Sequence, residues 1–252
     1  MTDKLTDYEL DRYSRQIALA HFSVESQQKL KKAKVAIVGV GGLGSNSSML
    51  LAAMGVTNFR LIDRDVVELS NLPRTPLYYP DDYEKSKAEA ASYRLMQLNP
   101  MIKTEIHATE LDRSNVKTLL RGVDVVVDGL DRFAPRMLIN RACKELNIPF
   151  VFAGVVGMAA NLSTFTYGEG PCLSCIFGRV DDGELPTCET IGVHTSAVVT
   201  TAAIQVNEVI RLLTGLPPVL EKSLLYIDLR NSLLIESTSF SGKIVRFAEE
   251  FP

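Results

Sequence analysis

Gly39, Gly41 and Gly44, with Gly42 and Leu43 between them, follow an apolar run and open a helix-patterned stretch in "KVAIVGVGGLGSNSSMLLAAMGVTNFRLIDRD", residues 34–65. The chemistry this spacing serves is anion binding. A first glycine permits a tight turn, a second lets backbone approach a phosphate, and a third lets helix and strand pack closely. The start of the helix offers unbonded N–H groups and the positive end of its dipole. Asp63 closes the next apolar run, 19 residues past Gly44, where a carboxylate can accept hydrogen bonds from ribose hydroxyls. The ligand parts implied are a ribose and a phosphate. NAD and ATP both carry them.

The residues downstream separate the two. A second acid, Asp65, is followed by Asn71 and Arg74 in "RDVVELSNLPR", and Lys87 falls in the first turn of the next helical stretch. Asp131 ends "VDVVVDGLD", at the strand edge where ligands of open parallel sheets sit. A dinucleotide needs a pyrophosphate site and a hydride acceptor. A triphosphate under attack needs cations and a carboxylate for Mg²⁺, because its charge must be neutralised. Arg74, Lys87 and Asp131 suit the second task. Each cation alone reads as solvated surface charge, and only their placement in two segments converging on one sheet edge lifts them. The histidines, His21, His107 and His194, are isolated in sequence and form no dehydrogenase proton relay.

The elements that must hold these groups follow from periodicity. A capping box at Thr6 and Glu9 predicts a first helix carrying "LDRYSRQIAL", and a second short helix follows Ser23. Apolar strands then alternate with amphipathic helices up to residue 160, which predicts a Rossmann-like α/β fold: a mostly parallel twisted sheet with helices on both faces. Residues 66–83 carry three prolines and no period, and read as an irregular functional loop. Past residue 160 the expectation is antiparallel strands, a second irregular stretch over 179–192, a long apolar helix over 195–215, and a hairpin turning near Arg230 and Asn231. No linker divides the chain. We read a single domain: an N-terminal helical segment (1–32), a nucleotide-binding core (33–160) and a C-terminal region of strands, loop and one long helix (161–252).

A formal net charge of −3 argues against nucleic acid as partner. The polar start lacks a signal core, and the apolar stretches read as too short or too interrupted to span a bilayer, so a cytoplasmic protein is expected. Four cysteines are too few for a secreted disulfide framework of this size.

"RYSRQI", "GVGGLGS", "LIDRDVVELSNLPR", "KSKAEAA" and "DGLDR", in this order, resemble the ThiF/MoeB/HesA family, relatives of ubiquitin-activating enzymes, from about residue 12 to about residue 215. The resemblance implies an adenylyltransferase that binds ATP and Mg²⁺ and activates the Gly-Gly tail of a ubiquitin-like or sulfur-carrier protein, releasing pyrophosphate. It implies that the turn Gly39–Gly44 lies against the nucleotide and that Asp63 holds the ribose. Asn71, Arg74 and Lys87 would bind phosphates, Asp131 would engage Mg²⁺, and Arg15 would reach the partner's ATP in a homodimer. Glu84 stands where the family often has glycine, Arg132 where asparagine is frequent, and Lys85 makes the lysine assignment ambiguous.

The cysteines depart from the pattern. Cys172 and Cys175 in "PCLSC" match half of the family's zinc site, but the second CxxC is missing, and two thiolates do not close a tetrahedral Zn²⁺ site. Zinc completed by Cys143, a carboxylate or another chain, a vestigial pair of reduced thiols, and a redox-labile couple all stay open as readings. Cys188 occupies the crossover-loop position where some members form a thioester or persulfide. Its covalent role and a bystander role both remain. Cys143 reads as a packing residue. Alternative functions are an NAD-dependent oxidoreductase, a catalytically silent carrier-binding subunit, and an enzyme acting on a short peptide or small molecule.

Overall fold

Val35 and Ile37 of the first strand face one helical layer while Ala36 and Val38 face the other, and all four are buried, so both sides of the sheet are covered. The computed structural model describes residues 4–168, 170–183 and 190–237. Strand β1 (Lys34–Val38) leads to α4 (Gly42–Ala53) and β2 (Asn58–Ile62), after α1 (Asp7–Arg12), α2 (Ser14–Ile17) and α3 (Val24–Lys32). Then come α5 (Lys87–Leu98), β3 (Lys103–His107), α6 (Val116–Leu120), β4 (Val125–Asp128), α7 (Phe133–Leu146) and β5 (Phe150–Val156). The last third holds β6 (Ala159–Phe165), α8 (Leu173–Phe177), α9 (Thr195–Thr214), β7 (Leu224–Asp228) and β8 (Leu233–Ser237).

Strand order is β3-β2-β1-β4-β5-β6-β7-β8, parallel through β5 and antiparallel beyond it. Helices α4, α5 and α9 cover one face through Leu51, Leu95 and Val209. Helices α6, α7 and α8 cover the other through Leu120, Ile139 and Phe177. Cys143 is fully buried in this second layer, as its packing role requires. The mixed sheet and two-sided covering match the expected fold class, and β7–β8 is the expected hairpin.

Three local expectations are corrected. The first helix breaks at Tyr13, which is buried against Gly55 and accepts a hydrogen bond from Asn99 at 3.1 Å, so docking overrides helix propensity. The loop over 66–83 contains two 3-10 turns, Leu69–Arg74 and Pro80–Asp82. Helix α9 is, by length and composition, apolar enough to cross a membrane, contrary to the sequence reading. It lies instead on β4, β5 and β6 and carries buried polar groups there. Gln205 donates to the Asp128 and Val151 carbonyls at 2.9 and 3.0 Å, and Glu208 accepts from Thr164, Val219 and Leu220.

The turn before α5 explains one departure from the family pattern. Glu84 has φ +65°, a left-handed conformation costly for a residue with a Cβ. We expect Glu84→Gly to stabilise the fold by about 0.5–1 kcal/mol, the left-handed strain being partly offset by glycine's extra chain entropy. A Tm raised by about 2–4 °C per kcal/mol would be the signature, and a lowered Tm would contradict it.

Candidate active site

The sheet reverses its winding between β1 and β4, which places the crevice for a ligand beyond the carboxyl ends of these two strands. Backbone from both strands meets there. A Cβ on Gly44 would stand 1.8 Å from the Gly39 carbonyl oxygen, and one on Gly129 would stand 2.0 Å from the same atom. Gly39 itself has φ +82°. The glycine turn is therefore locked to the end of β4 through Gly129, a residue the sequence reading did not single out. Beside Gly41 the space is open, with nothing within 4 Å of where a Cβ would stand. Gly41 is also the N-cap of α4, and none of the described side chains caps this helix, which leaves its first N–H groups available to an anion.

Asp63 is tied into the turn by both oxygens. Val40 N–H donates to one at 2.6 Å and Asp65 N–H to the other at 2.8 Å. Burial raises the pKa of its carboxyl, outweighing these two bonds and the nearby charge of Lys87. The Lys87 ammonium sits 3.0 Å from the Asp65 carboxylate, with the lysine 9% exposed. Lys85 instead pairs with Asp82 at 3.3 Å and is much the more exposed of the two lysines. Tyr78 Oη lies 2.7 Å from the Val40 carbonyl and 3.1 Å from the Lys87 carbonyl, a buried bridge between turn and lysine that no sequence motif marked.

Arg74 lays its stem along Gly42, with Cδ 3.7 Å from the position of a Cβ there. One guanidinium nitrogen donates to the Ser70 carbonyl at 2.7 Å. Asn46 fastens this loop to α4 by donating to the Gly42 and Arg74 carbonyls at 2.7 and 3.0 Å. Asn71 is buried and turned into its own 3-10 turn, accepting from Glu68 N–H at 3.2 Å. Its amide thus holds the loop's shape in this structure. Asp82 anchors the same loop, accepting from Arg94 at 2.8 Å and from Tyr79 N–H at 3.0 Å.

Past β4 the two aspartates divide their tasks. Asp128 is fully buried, pairs with Arg136 at 2.8 Å and accepts Leu130 N–H at 2.9 Å. Burial pushes its pKa up to about 6, against the pull of the arginine and of these hydrogen bonds. Arg136 also donates to the carbonyls of Leu130 and Ala153. The turn carrying Asp131 is pinned from within, and Asp131 itself is exposed at the strand's end. Asp182 ties the adjoining loop to this region by accepting from the Phe133 and Ala134 N–H groups at 2.6 and 2.9 Å.

Arg15 does not join this site within the chain. Gln16 donates to the Met54 carbonyl, which fixes α2 at the far end of α4, and Arg12 at the end of α1 donates to the Leu98 carbonyl at the far end of α5. The glycine turn lies one helix length away, about 18 Å for α4. Cys172 and Cys175 stand with their sulfurs 3.1 Å apart, and no group of three potential metal-binding side chains occurs among the described residues. The residues present do not fit the zinc site implied by the resemblance. Cys188 lies outside the described residues.

Fold and site together define an open, doubly wound α/β protein with a glycine-rich turn at its topological switch point. The sequence matches the ThiF family over residues 13–241, and the chain belongs to this family. It is 40% identical over 226 residues to "Adenylyltransferase and sulfurtransferase MOCS3" of Drosophila sechellia, covering 89% of this chain and 50% of that protein. It is 37% identical over 229 residues to "SAMP-activating enzyme E1" of Haloferax volcanii, covering 90% of this chain and 84% of that protein. The chain spans about half the length of the MOCS3 relatives. Among solved structures, E. coli MccB with ATP superposes with a TM-score of 0.81 at 25% identity, covering 93% of this chain and 73% of that one.

Proposed function

We propose that this protein uses ATP to adenylate the C-terminal Gly-Gly carboxylate of a ubiquitin-like or sulfur-carrier protein. The observation that carries this reading is the cluster beside the glycine turn. A nearly buried ammonium, Lys87, is held next to two aspartates, one of them bonded directly to the turn. Such a cation can serve a polyanion whose charge must be neutralised while phosphorus is attacked. The names of the relatives, an adenylyltransferase and an activating enzyme, support the same reading.

In the step proposed, a carboxylate oxygen of the tail forms a bond to the α-phosphorus and the α–β phosphoanhydride bond breaks. Pyrophosphate leaves with that electron pair, and no proton need move. Two anions must approach, so catalysis is positioning and charge stabilisation. The turn Gly39–Gly44 and the start of α4 receive phosphate oxygens, and Asp63 receives the ribose. Lys87 and Arg74 offset the charge that gathers on the phosphates. Mg²⁺ is coordinated by one or two carboxylates together with phosphate oxygens and waters. Asp131, exposed and unbonded to any described side chain, fits that need, and Mg²⁺ there would neutralise phosphate charge. Arg15, exposed on α2 at the far end of α4, fits a homodimer in which it serves the other protomer's nucleotide.

Tail-dependent exchange of labelled pyrophosphate into ATP tests the reading, with small Gly-Gly-ended carrier proteins as substrates. Exchange should require Mg²⁺ and an intact tail, and calorimetry should show ATP binding in preference to NAD(H). Preference for NAD(H), or no exchange with any such carrier, would overturn it.

A further inference from the structure

The turn from β6 into α8 holds Cys172 and Cys175 in a fixed arrangement. Leu173, Ile176 and Phe177 are buried, and Phe177 packs on Phe133 and Phe152 at ring-centre distances of 5.2 and 5.4 Å. Asn140 of α7 braces the same turn. Its side-chain oxygen accepts Leu173 N–H at 3.1 Å, and its amide donates to Ser174 Oγ at 3.1 Å. Cys175 N–H donates to the Cys172 carbonyl at 2.8 Å. The two sulfurs lie 3.1 Å apart on this anchored turn, with Cys175 exposed and Cys172 half-buried. Folding has already met the entropic cost of bringing them together.

We propose that Cys172 and Cys175 form a reversible dithiol–disulfide site that exchanges with low-molecular-weight disulfides and does not bind zinc. The Cys175 thiolate attacks a sulfur of the small disulfide, forming a mixed disulfide and expelling one thiolate. Cys172 then attacks Cys175 Sγ, closing the protein disulfide and expelling the second thiolate. Two electrons pass from the protein to the small disulfide. The two thiol protons end on the two small thiols released. Burial works against a Cys172 thiolate, but hydrogen bonds from Cys175, Asn140 and the Ser174 backbone together lower its pKa, which suits the resolving step.

The test equilibrates the full chain in glutathione buffers of graded redox ratio, quenches with acid, alkylates free thiols and maps peptides by mass spectrometry. The peptide with Cys172 and Cys175 should lose two hydrogens as the buffer becomes oxidising, with a midpoint set by the square of glutathione over glutathione disulfide. Dithiothreitol should restore both thiols. The Cys172→Ser variant should accumulate a stable glutathione adduct on Cys175. Both thiols still alkylated in the most oxidising buffer would overturn the proposal. So would a bridge to Cys188, or stoichiometric zinc in the purified protein that shields both sulfurs from alkylation.

Discussion

Lys87→Ala should lower tail-dependent ATP–pyrophosphate exchange by about 10²–10³-fold, the usual cost of removing one preorganised charge-stabilising donor. The fold should survive, because the partner this change strands, Asp65, keeps more than half of its side chain in water. An unchanged circular dichroism spectrum and melting curve would confirm that. Arg74→Ala should fall in the same range. Lys85 supplies the control: it pairs with Asp82 beside the loop, exposed, and Lys85→Ala should leave exchange within about twofold of the parent. Equal losses for Lys85→Ala and Lys87→Ala would show that general positive charge, and no particular ammonium, sustains the reaction.

Asp128→Ala should destabilise the protein by about 3–5 kcal/mol, since it leaves the Arg136 guanidinium buried without its carboxylate. Urea denaturation measures this directly, and a loss under 1 kcal/mol, the range of an exposed pair, would refute it. The pH dependence has a definite sign. Burial holds the Asp128 pKa at about 6, above the roughly 3.9 of an unfolded aspartate, so the native state binds a proton more tightly than the unfolded one. The contribution of this group is full below pH ~4 and is lost as pH rises through ~6. Asp128→Asn should remove that slope from the stability profile between pH 4 and 7. A parent and variant with parallel profiles would show that the carboxyl titrates normally.

Much of this was legible before any coordinates. The glycine turn, Asp63 and the alternation of strand and helix are local signals, each carried by spacing within a short window. Lys87 was legible in part, because position beside the loop could not separate it from Lys85. What escaped was set by contacts between distant segments. Asp128 and Asp131 share one short stretch, and no period says which turns inward to Arg136 and which stays exposed. Gly129 matters only because the β1 turn presses against it. Tyr78 became visible only when its hydroxyl bridged Val40 and Lys87. Helix α8 is too short to show a period, and the break at Tyr13 reflects docking on Gly55.

The ion pair between Lys87 and Asp65 has a consequence for selectivity. With its ammonium already paired, an anion entering here would compete with a resident carboxylate for it. A singly charged visitor trades one attraction for an equal one and gains almost nothing. A triphosphate, the substrate of the proposed function, would offer several negative charges at once, so the trade would run in its favour.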